Sequence, residues 1–590
     1  MPVRCSGGRG DRRARSSERV LGRLTLGALL LFGPRAWSVP LEDEIGASCA
    51  ACHGVLVDEY RLSGMARSVE PLRPDELRGL SRVEDHDTGL SYELMGDAKG
   101  ARIIERWGEG DEAVTRSVPL LYAIGAGHLD RSYVAQVGGM EWFAPLEVLS
   151  ERAGVERHAA LAPGHEMVPG MRFKTPITNE CLACHTDTPP AIDYPANLHS
   201  GTWTPKGISC AACHAAGEEH ARFREAEGEG EDPALALSEL DLAGRISLCA
   251  RCHLQGDARI SLTGSRALPR PGTDLLEEWA VYLPRSADED VAFVSQVERM
   301  LTSVCFTSSL GEGARPLECT TCHDPHRSLT DEAERARVRA ACMQCHVNAD
   351  EDCARPKTAE TSQDCVGCHM PLVEVFDVGA VRIHDHEISR SPSSPKTQRG
   401  VRVKHARDGD VARFHWPWME PAPLDPGLEM MAALIAGGER RALAQVDGEP
   451  GDTSRKLSTY HHLRAVLLEG AGRLDDARKS YLRALLMDPE SGESTVNLGL
   501  LLGRMNRAQE GIAMLDELLE RHPQAEGAWR NRGLLKNSLG DVRGLASDLE
   551  TAQAILPRAE LARALAEIRR RLGDESGAKI WEQRARQLGP

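Results

Sequence analysis

Residues 207–220 read GISCAACHAAGEEH and contain Cys210, Cys213 and His214 in the pattern Cys-x-x-Cys-His. The same pattern occurs seven times in the 590-residue chain and uses 14 of its 17 cysteines. So regular a use of a scarce residue indicates one repeated cofactor site rather than a set of disulfides. We number the copies motif 1 to motif 7 in chain order: Cys49, Cys52, His53; Cys181, Cys184, His185; Cys210, Cys213, His214; Cys249, Cys252, His253; Cys319, Cys322, His323; Cys342, Cys345, His346; and Cys365, Cys368, His369.

The spacing within each motif suits the covalent attachment of c-type haem. Two thiols on one helical turn can add to the two vinyl groups at one edge of the porphyrin, and the adjacent imidazole can bind the iron as proximal ligand. A thioredoxin-like site would provide a single Cys-x-x-Cys pair, and structural zinc would need a second pair of ligands at each site. The sequence therefore predicts seven covalently bound haems, each with its iron.

Histidines outside the motifs are numerous enough to supply sixth iron ligands. The chain has 21 histidines; seven are proximal and three lie in the C-terminal repeats described below. Eleven remain for up to seven distal positions, although any single one could instead be a surface histidine. An iron that binds two imidazoles has no open position and carries electrons rather than a substrate. The eleven are His86, His128, His158, His165, His199, His220, His326, His384, His386, His405 and His415.

Two of these histidines follow a motif so closely that their reach is limited. His220 comes shortly after motif 3, and His326 comes shortly after motif 5. Neither imidazole can easily reach the opposite face of the haem that the preceding motif holds. We therefore expect each of them to ligate a neighbouring haem, which would connect the haems into a chain.

Three cysteines lie outside the motifs. Cys5 belongs to the N-terminal segment, whereas Cys305 and Cys353 flank motifs 5 and 6. Two unpaired cysteines in an oxidising compartment most simply form a disulfide, so we expect a Cys305–Cys353 bridge.

Residues 1–38 have the composition of a cleavable secretory signal. An arginine-rich segment precedes the apolar stretch LTLGALLLF at residues 24–32, and small residues follow it. Nine apolar residues are too few to span a bilayer as a helix, although an uncleaved anchor is the alternative reading. We expect a periplasmic or otherwise extracytoplasmic protein with no transmembrane segment in its mature chain.

The charge of the chain narrows the choice of partners. The formal net charge is −17, and loss of residues 1–38, with eight arginines and two acidic residues, makes it about −23. A nucleic-acid-binding protein would normally present a basic surface. We therefore expect no nucleic-acid partner.

A long stretch without a motif separates motifs 1 and 2. Residues 90–150 alternate apolar and polar residues as half-buried strands do, with Gly and Asp at the turns. We predict a small antiparallel β insertion that covers haem edges, with His86 and His128 at its margins.

The C-terminal third of the chain is a helical repeat. Residues 391–425 are rich in Pro and Ser and form a predicted linker. Beyond them, Pro489, Pro523 and Pro557 recur every 34 residues, and small residues recur at the same interval. This is the tetratricopeptide period. We predict an α-solenoid over residues 426–590.

Three repeats of this solenoid are clear, at 458–491, 492–525 and 526–559. We expect a degenerate helix pair before them and a capping pair at 560–588. Stacked helix pairs usually bind a peptide or a partner protein. The alternative is that the solenoid only braces the haem domain or makes it dimerise.

The motif region resembles the multihaem cytochromes of the c-552/c-554 type, in particular a secreted subgroup fused to tetratricopeptide repeats. The matching segments include AIGAGHLDRSYV, GISCAACHAAGEEH, LECTTCHDPHRS and DCVGCHMPLVEV with HDHEI, and they cover most of residues 45–390. The resemblance implies a mainly α fold over residues 39–390, with short helices and loops around closely packed haems. It also implies extracytoplasmic electron transfer.

The resemblance implies particular distal ligands as well. It points to His220, His326 and His386, and we take His128 and His199 as further candidates. This family type often has a histidine after motif 1 in the context W-x-x-S-x-H-A, where this chain has Met65. Met65 is therefore a candidate sixth ligand that would raise the potential of the first haem, with a packing methionine as the equal alternative. No motif has the proximal lysine of nitrite reductases.

Taken together, these features predict an electron-transfer protein rather than a catalyst, and no catalytic residue is assigned. The leading hypothesis is electron transfer through seven haems, with the repeats docking a redox partner protein. The alternative is an oxidoreductase that acts on a small nitrogen or sulfur compound at one open haem. A scaffold with purely structural haems is the third reading.

Overall fold

The computed structural model describes residues 45–108, 113–150, 157–162, 172–200, 203–226, 228, 230–285, 291–311, 313, 315–347, 365–375, 382–389 and 409–589. All of them fall in one unit of the chain, Glu42–Pro590. Several expectations fall outside these residues and stay predictions: the signal segment 1–38, Cys5, Cys353 and with it the Cys305–Cys353 bridge, His165, His405, and residues 391–408 of the linker.

Short helices carry most of the Cys-x-x-Cys-His motifs. They are α1 (Ala47–Tyr60), α2 (Asn179–Leu182), α3 (Gly217–Glu225), α4 (Leu242–His253), α5 (Leu275–Glu278), α6 (Gln296–Thr302), α7 (Val304–Ser309), α8 (Cys319–Cys322), α9 (Glu332–Met343) and α10 (Cys365–His369). Motif 1 lies within α1, motif 4 ends α4, and motif 7 forms α10. Residues three apart on a helix lie on the same face, so the two thiols of such a motif point the same way.

An antiparallel sheet of eight strands follows α1. Its strands are β1 (Val69–Pro71), β2 (Val83–Asp85), β3 (Leu90–Asp97), β4 (Gly100–Trp107), β5 (Val114–Ile124), β6 (Asp130–Val137), β7 (Met140–Leu149) and β8 (His158–Leu161). They are hydrogen-bonded in the order β2 to β8, and β1 pairs with β5. The sheet is larger than the strands predicted over residues 90–150, because β1, β2 and β8 have only three or four residues and are too short to show alternation.

In the described residues, seven further strands form three small antiparallel sheets. They are β9 (Ala191–Ile192), β10 (His199–Ser200), β11 (Ala258–Ser261), β12 (Trp279–Pro284), β13 (Leu372–Glu374), β14 (Arg382–His384) and β15 (Val411–Arg413). β15 pairs with β12, although it lies in the segment that the sequence assigns to a linker. Just after it, Trp416 is 1% exposed and donates its indole N–H to Asp274 at 2.9 Å. Residues 411–416 therefore pack against the motif region, which a Pro/Ser-rich composition could not reveal.

The remaining helices form five consecutive pairs. They are α11 (Pro426–Ile435) with α12 (Glu439–Gln445), α13 (Ser458–Gly470) with α14 (Leu474–Met487), α15 (Gly492–Arg504) with α16 (Ala508–Arg521), α17 (Glu526–Ser538) with α18 (Val542–Ile555), and α19 (Ala559–Arg571) with α20 (Glu575–Leu588). None of the helices in these described ranges has both the length and the apolar character needed to cross a membrane.

The turn inside each central pair depends on one residue with a positive φ. Gly472, Asn506 and Gly540 have φ values of 75°, 61° and 86° and lie 34 residues apart. Glycine and asparagine tolerate this left-handed conformation at low cost, so they end the first helix of a pair. The mainly α fold with helical repeats and an antiparallel sheet is therefore confirmed.

The helical repeats also pack against the rest of the chain. Leu556, just after α18, lies in the core beneath the eight-stranded sheet. The ring of Tyr194 lies so close to Gly492 that a Cβ there would be 2.5 Å from it. At the end of the solenoid, the indole of Trp107 donates a hydrogen bond to the carbonyl of Arg586 at 3.1 Å. Such contacts are the ones we would expect if the solenoid braces the rest of the chain.

Candidate cofactor site

One large cavity collects residues from all seven motifs. Its volume is about 4770 Å³, whereas pockets for single ligands usually measure about 300–1,000 Å³. Divided among seven groups, this volume provides about 680 Å³ for each, which is within that range. Every motif histidine lines the cavity: His53, His185, His214, His253, His323, His346 and His369.

The motif cysteines border the same cavity, except for Cys52 and Cys181, which are exposed. Thiols from different motifs lie next to each other: Cys49 with Cys210, Cys184 with Cys252, and Cys249 with Cys319. Burial, with Cys49 nearby, raises the pKa of Cys210 to about 11. The attachment points of different motifs are therefore close neighbours.

Among the described residues, five further histidines line the cavity and are not part of a motif. They are His128, His220, His326, His384 and His386. His384 was only one of eleven possibilities in the sequence, and its spacing to His386 in HDH was the signal that could have singled it out. The cavity therefore brings together twelve imidazoles from distant parts of the chain.

The Nδ1 atoms of His220, His326, His384 and His386 are engaged in hydrogen bonds. The partners are Asp232 for His220 at 2.7 Å, Asp324 for His326 at 3.1 Å, the carbonyl of Met370 for His384 at 2.6 Å, and the carbonyl of His384 for His386 at 3.0 Å. An acceptor at Nδ1 holds the ring proton there and leaves Nε2 as the free ligand atom. These imidazoles are therefore oriented as metal-binding histidines usually are.

Two pairs of imidazoles have a spacing that suits one metal ion between them. The ring centroids of His214 and His326 are 6.0 Å apart with an interplanar angle of 14°, and those of His323 and His386 are 6.3 Å apart at 37°. Two metal–nitrogen bonds in line span about 4 Å, which leaves about 1 Å at each end for half a ring. Both pairs join a motif histidine to one that the sequence predicts as distal.

Burial favours the neutral form of His214, His323 and His386, and the neutral form is the one that binds a metal. Burial lowers the pKa of His214 and of His323. It lowers the pKa of His386 to about 4, with neighbouring His323 adding to the effect. The cavity thus has the size, the donor atoms and the protonation states that haem would need.

The other candidate ligands are placed less uniformly. Met65 lines the cavity, and the adjacent Gly64 lies beside the ring of His128. His199 does not border the cavity, and its Nδ1 lies 2.9 Å from a carboxylate oxygen of Glu141. The structure therefore brings Met65 and His128 to the motif residues but not His199. Three of the eleven histidines, His86, His158 and His415, also do not line the cavity.

Comparisons with known proteins agree with the motif chemistry. The family model of the doubled CXXCH motif matches residues 313–351, which contain motifs 5 and 6. The chain is similar to the multiheme cytochrome MtrA of Shewanella baltica (strain OS185), with 26% identity over 185 residues. That match covers 28% of this chain and 52% of the relative, so the chain spans about half the length of that protein. The motifs and this relative indicate covalently bound c-type haem in a multihaem cytochrome region.

Solved structures resemble part of the chain. One is MamA (residues 41 to the end) from Desulfovibrio magneticus RS-1, with 15% identity, a TM-score of 0.26, and coverage of 28% of this chain and 97% of that one. Another is PilW, a type IV pilus biogenesis factor, with 23% identity, a TM-score of 0.24, and coverage of 28% and 76%.

Proposed function

We propose that this protein is an extracytoplasmic electron carrier with seven covalently bound c-type haems, one at each motif. The observation that carries the proposal is that all seven motif histidines line one continuous cavity. In each step a donor protein loses one electron, the carrier passes one electron along, and an acceptor gains it, with no bond made or broken. Bound haem supplies the one-electron iron couple that this requires.

In this proposal, the histidine that serves as the distal ligand of a haem follows a different motif from the one to which that haem is attached. His326, which follows motif 5, serves the haem of motif 3, and its ring separation of 6.0 Å from His214 supports this. His386 serves the haem of motif 5, supported by its separation of 6.3 Å from His323. His220, His384 and His128 are proposed ligands of further haems. Such shared ligation ties neighbouring haems together and suits transport along a chain.

Haem count and iron spin state test this function. We expect the purified holoprotein to contain seven haems per chain by pyridine haemochrome assay, with reversible reduction of all seven. In the His326→Gly variant, the EPR spectrum should change from low-spin to high-spin iron at one haem, because one ligand is lost. His415→Gly is the matched control, because His415 lies outside the cavity. A count near one or two, or no spin change in His326→Gly, would contradict the proposal.

A second candidate function follows from comparing the number of available distal ligands with the number of motifs. Among the described residues, five non-motif histidines line the cavity for seven motifs, with Met65 as a further candidate. An iron with an open sixth position could bind a small nitrogen or sulfur compound and act as an oxidoreductase. High-spin iron in the unmodified protein, together with spectral shifts on adding nitrite, hydroxylamine or carbon monoxide, would support this reading over pure electron transfer.

The repeats serve as the docking site for a redox partner protein in our proposal. Val466 on α13 and Leu534 on α17 lie two repeat periods apart and are 38% and 46% exposed. Equivalent exposed apolar side chains on the first helices of two repeats favour contact with another protein. The partner is reached through these exposed side chains, whereas the contacts with the sheet and Tyr194 hold the solenoid in place.

Reduction kinetics test the docking role. We expect Val466→Glu with Leu534→Glu to slow reduction of the carrier by a native periplasmic extract at least several-fold, while reduction by dithionite keeps its rate. Leu486→Glu is the control, because Leu486 is an exposed leucine on the second helix of a pair. Equal rates in all variants would assign the repeats to bracing alone.

A further inference from the structure

Two arginines, Arg251 and Arg259, lie where motifs 2, 3 and 4 meet. They support an inference that goes beyond electron transfer itself. Arg251 is the residue before the second cysteine of motif 4, and its side chain is only 9% exposed. Its Nη1 donates to the carbonyl of Ala212, inside motif 3, at 2.6 Å. Arg251 thus connects two motifs directly, and its charge is held inside the protein.

Arg259, on β11, contacts Arg251 and helps to hold it in place. Its Nη1 donates to the backbone carbonyl of Arg251 at 2.7 Å, and its guanidinium carbon lies 4.7 Å from the ring centroid of Trp279. Its Nε and Nη2 atoms, and Nε of Arg251, are buried without a hydrogen-bond acceptor. The Nε–Nη2 edge is the one with which arginine usually grips a carboxylate, and here it holds none.

Four other partly or fully buried arginines of this protein have carboxylate partners. The pairs are Arg131 with Glu76 at 2.7 Å, Arg172 with Glu105 at 2.7 Å, Arg299 with Asp385 at 2.5 Å, and Arg532 with Asp548 at 2.7 Å. Among the residues described, neither Arg251 nor Arg259 forms an ion pair with a side-chain carboxylate. A guanidinium is always charged at physiological pH. Arg251 and two guanidinium nitrogens of the partly buried Arg259 are therefore enclosed together, with no acidic side chain of the described chain to neutralise their charges.

The neighbours of these charges are the haem attachment points. Both guanidinium groups lie close enough to Cys184 of motif 2 and Cys252 of motif 4 to act on them electrostatically, and Arg251 also acts on Cys213 of motif 3. Once these thiols form thioethers they carry no charge. Buried charges act through a low effective dielectric and are screened little by salt, so their effect extends to the iron centres that these motifs hold.

We propose that Arg251 and Arg259 raise the reduction potentials of the haems held by motifs 2, 3 and 4. This inference rests on the proposed function. Reduction adds one electron to an iron centre and breaks no bond, so a fixed positive charge nearby stabilises the reduced form more than the oxidised form. The pair therefore favours the presence of an electron on each of these three haems.

A potentiometric titration of the holoprotein, followed by visible and EPR spectroscopy, tests the proposal. We expect Arg259→Gln to move the part of the titration curve that belongs to about three of the seven haems to more negative potential. Arg259→Lys keeps the charge and should move it much less. The shift in the Gln variant should largely persist at high salt, because two nitrogens of the Arg259 guanidinium are buried.

Arg266→Gln provides the matched control. Arg266 borders the same cavity but is largely exposed and lies 3.5 Å from Glu180, so its removal should leave the curve in place. Arg251→Gln is the second variant and should shift the same haems. Equal shifts in the Lys and Gln variants, or unshifted potentials with all seven haems present, would overturn the inference. Absence of covalent haem in the unmodified protein would instead contradict the proposed function.

Discussion

Hydrogen bonds at Nδ1 decide how the candidate ligand imidazoles are held. Asp324 accepts from the ring of His326, and its own backbone N–H donates to the buried carboxylate of Glu334 at 2.7 Å. Asp232 accepts from the ring of His220. Such partners orient a metal-binding imidazole and raise its basicity. At the residue scale, two of the proposed distal ligands, His220 and His326, therefore depend on a second side chain that the haem motifs do not include.

Glu147 provides a test at the same scale that does not involve haem. It lies on β7 opposite Ser132 and Ala160, and its side chain is 1% exposed. Burial, with the carboxylate of Asp130 nearby, raises the pKa of Glu147 from 4.5 to about 8. The folded protein therefore binds a proton there that the unfolded chain releases above about pH 4.5.

This shift predicts a direction for the pH dependence of stability. A raised pKa in the folded state contributes stability at low pH that is lost as pH rises through about 8. We expect the free energy of unfolding to fall by on the order of a few kcal/mol between about pH 5 and pH 9. Glu147→Gln should flatten this dependence in denaturant titrations at several pH values. An equal fall in both proteins would show that another group is responsible.

Small residues decide how closely the helices of a repeat can approach. Gly511, at the start of α16, faces the backbone of Gly499 on α15, and a Cβ at Gly511 would overlap the carbonyl oxygen there. A backbone atom cannot move aside as the end of a flexible side chain can. At the scale of the element, the 34-residue period of small residues is therefore a requirement of packing.

Substitution of Gly511 tests this requirement. Gly511→Ala should lower the free energy of unfolding by about 1–3 kcal/mol, because it forces two packed helices apart. Gly527→Ala is the matched control: Gly527 lies on α17 with nothing within 4 Å of a Cβ, so alanine should be neutral or slightly stabilising. Chemical unfolding of both variants checks the difference, and equal stability would contradict the packing argument.

The cavity is the main feature at the scale of the whole molecule. It extends past residues from all seven motifs, and helices of only four to fourteen residues surround it. Aromatic residues make up just 4% of the chain, so few large side chains are available to fill such a space. Haem macrocycles are broad apolar plates that can take their place.

Removal of haem should therefore unfold the motif region. We expect protein made in a host without cytochrome c maturation to lose protease resistance over residues 45–390 and part of its far-UV circular dichroism, as in other folds that depend on a cofactor. The repeats should resist longer, because their helices have continuous cores of their own. Haem-free protein with native dichroism and full protease resistance would refute this expectation.

Local patterns account for what could be predicted without the structure. A Cys-x-x-Cys-His motif needs only one helical turn to create its chemistry, and the repeats need only a 34-residue period. The predicted strands over residues 90–150 likewise follow from alternation along the chain. Edge strands such as β1 and the packed segment around Trp416 were missed, because their short sequences carry no periodic signal.

The sequence by itself determined that this chain attaches c-type haem at repeated motifs, that strands follow motif 1, and that a helical repeat ends it. Only the tertiary structure decided that His326 faces His214, that His199 turns to Glu141 instead of the cavity, and that the buried Arg251 and the partly buried Arg259 lie at the junction of three motifs. These relations join residues far apart in the chain. They depend on how the whole chain packs around one cavity, and no local spacing encodes that.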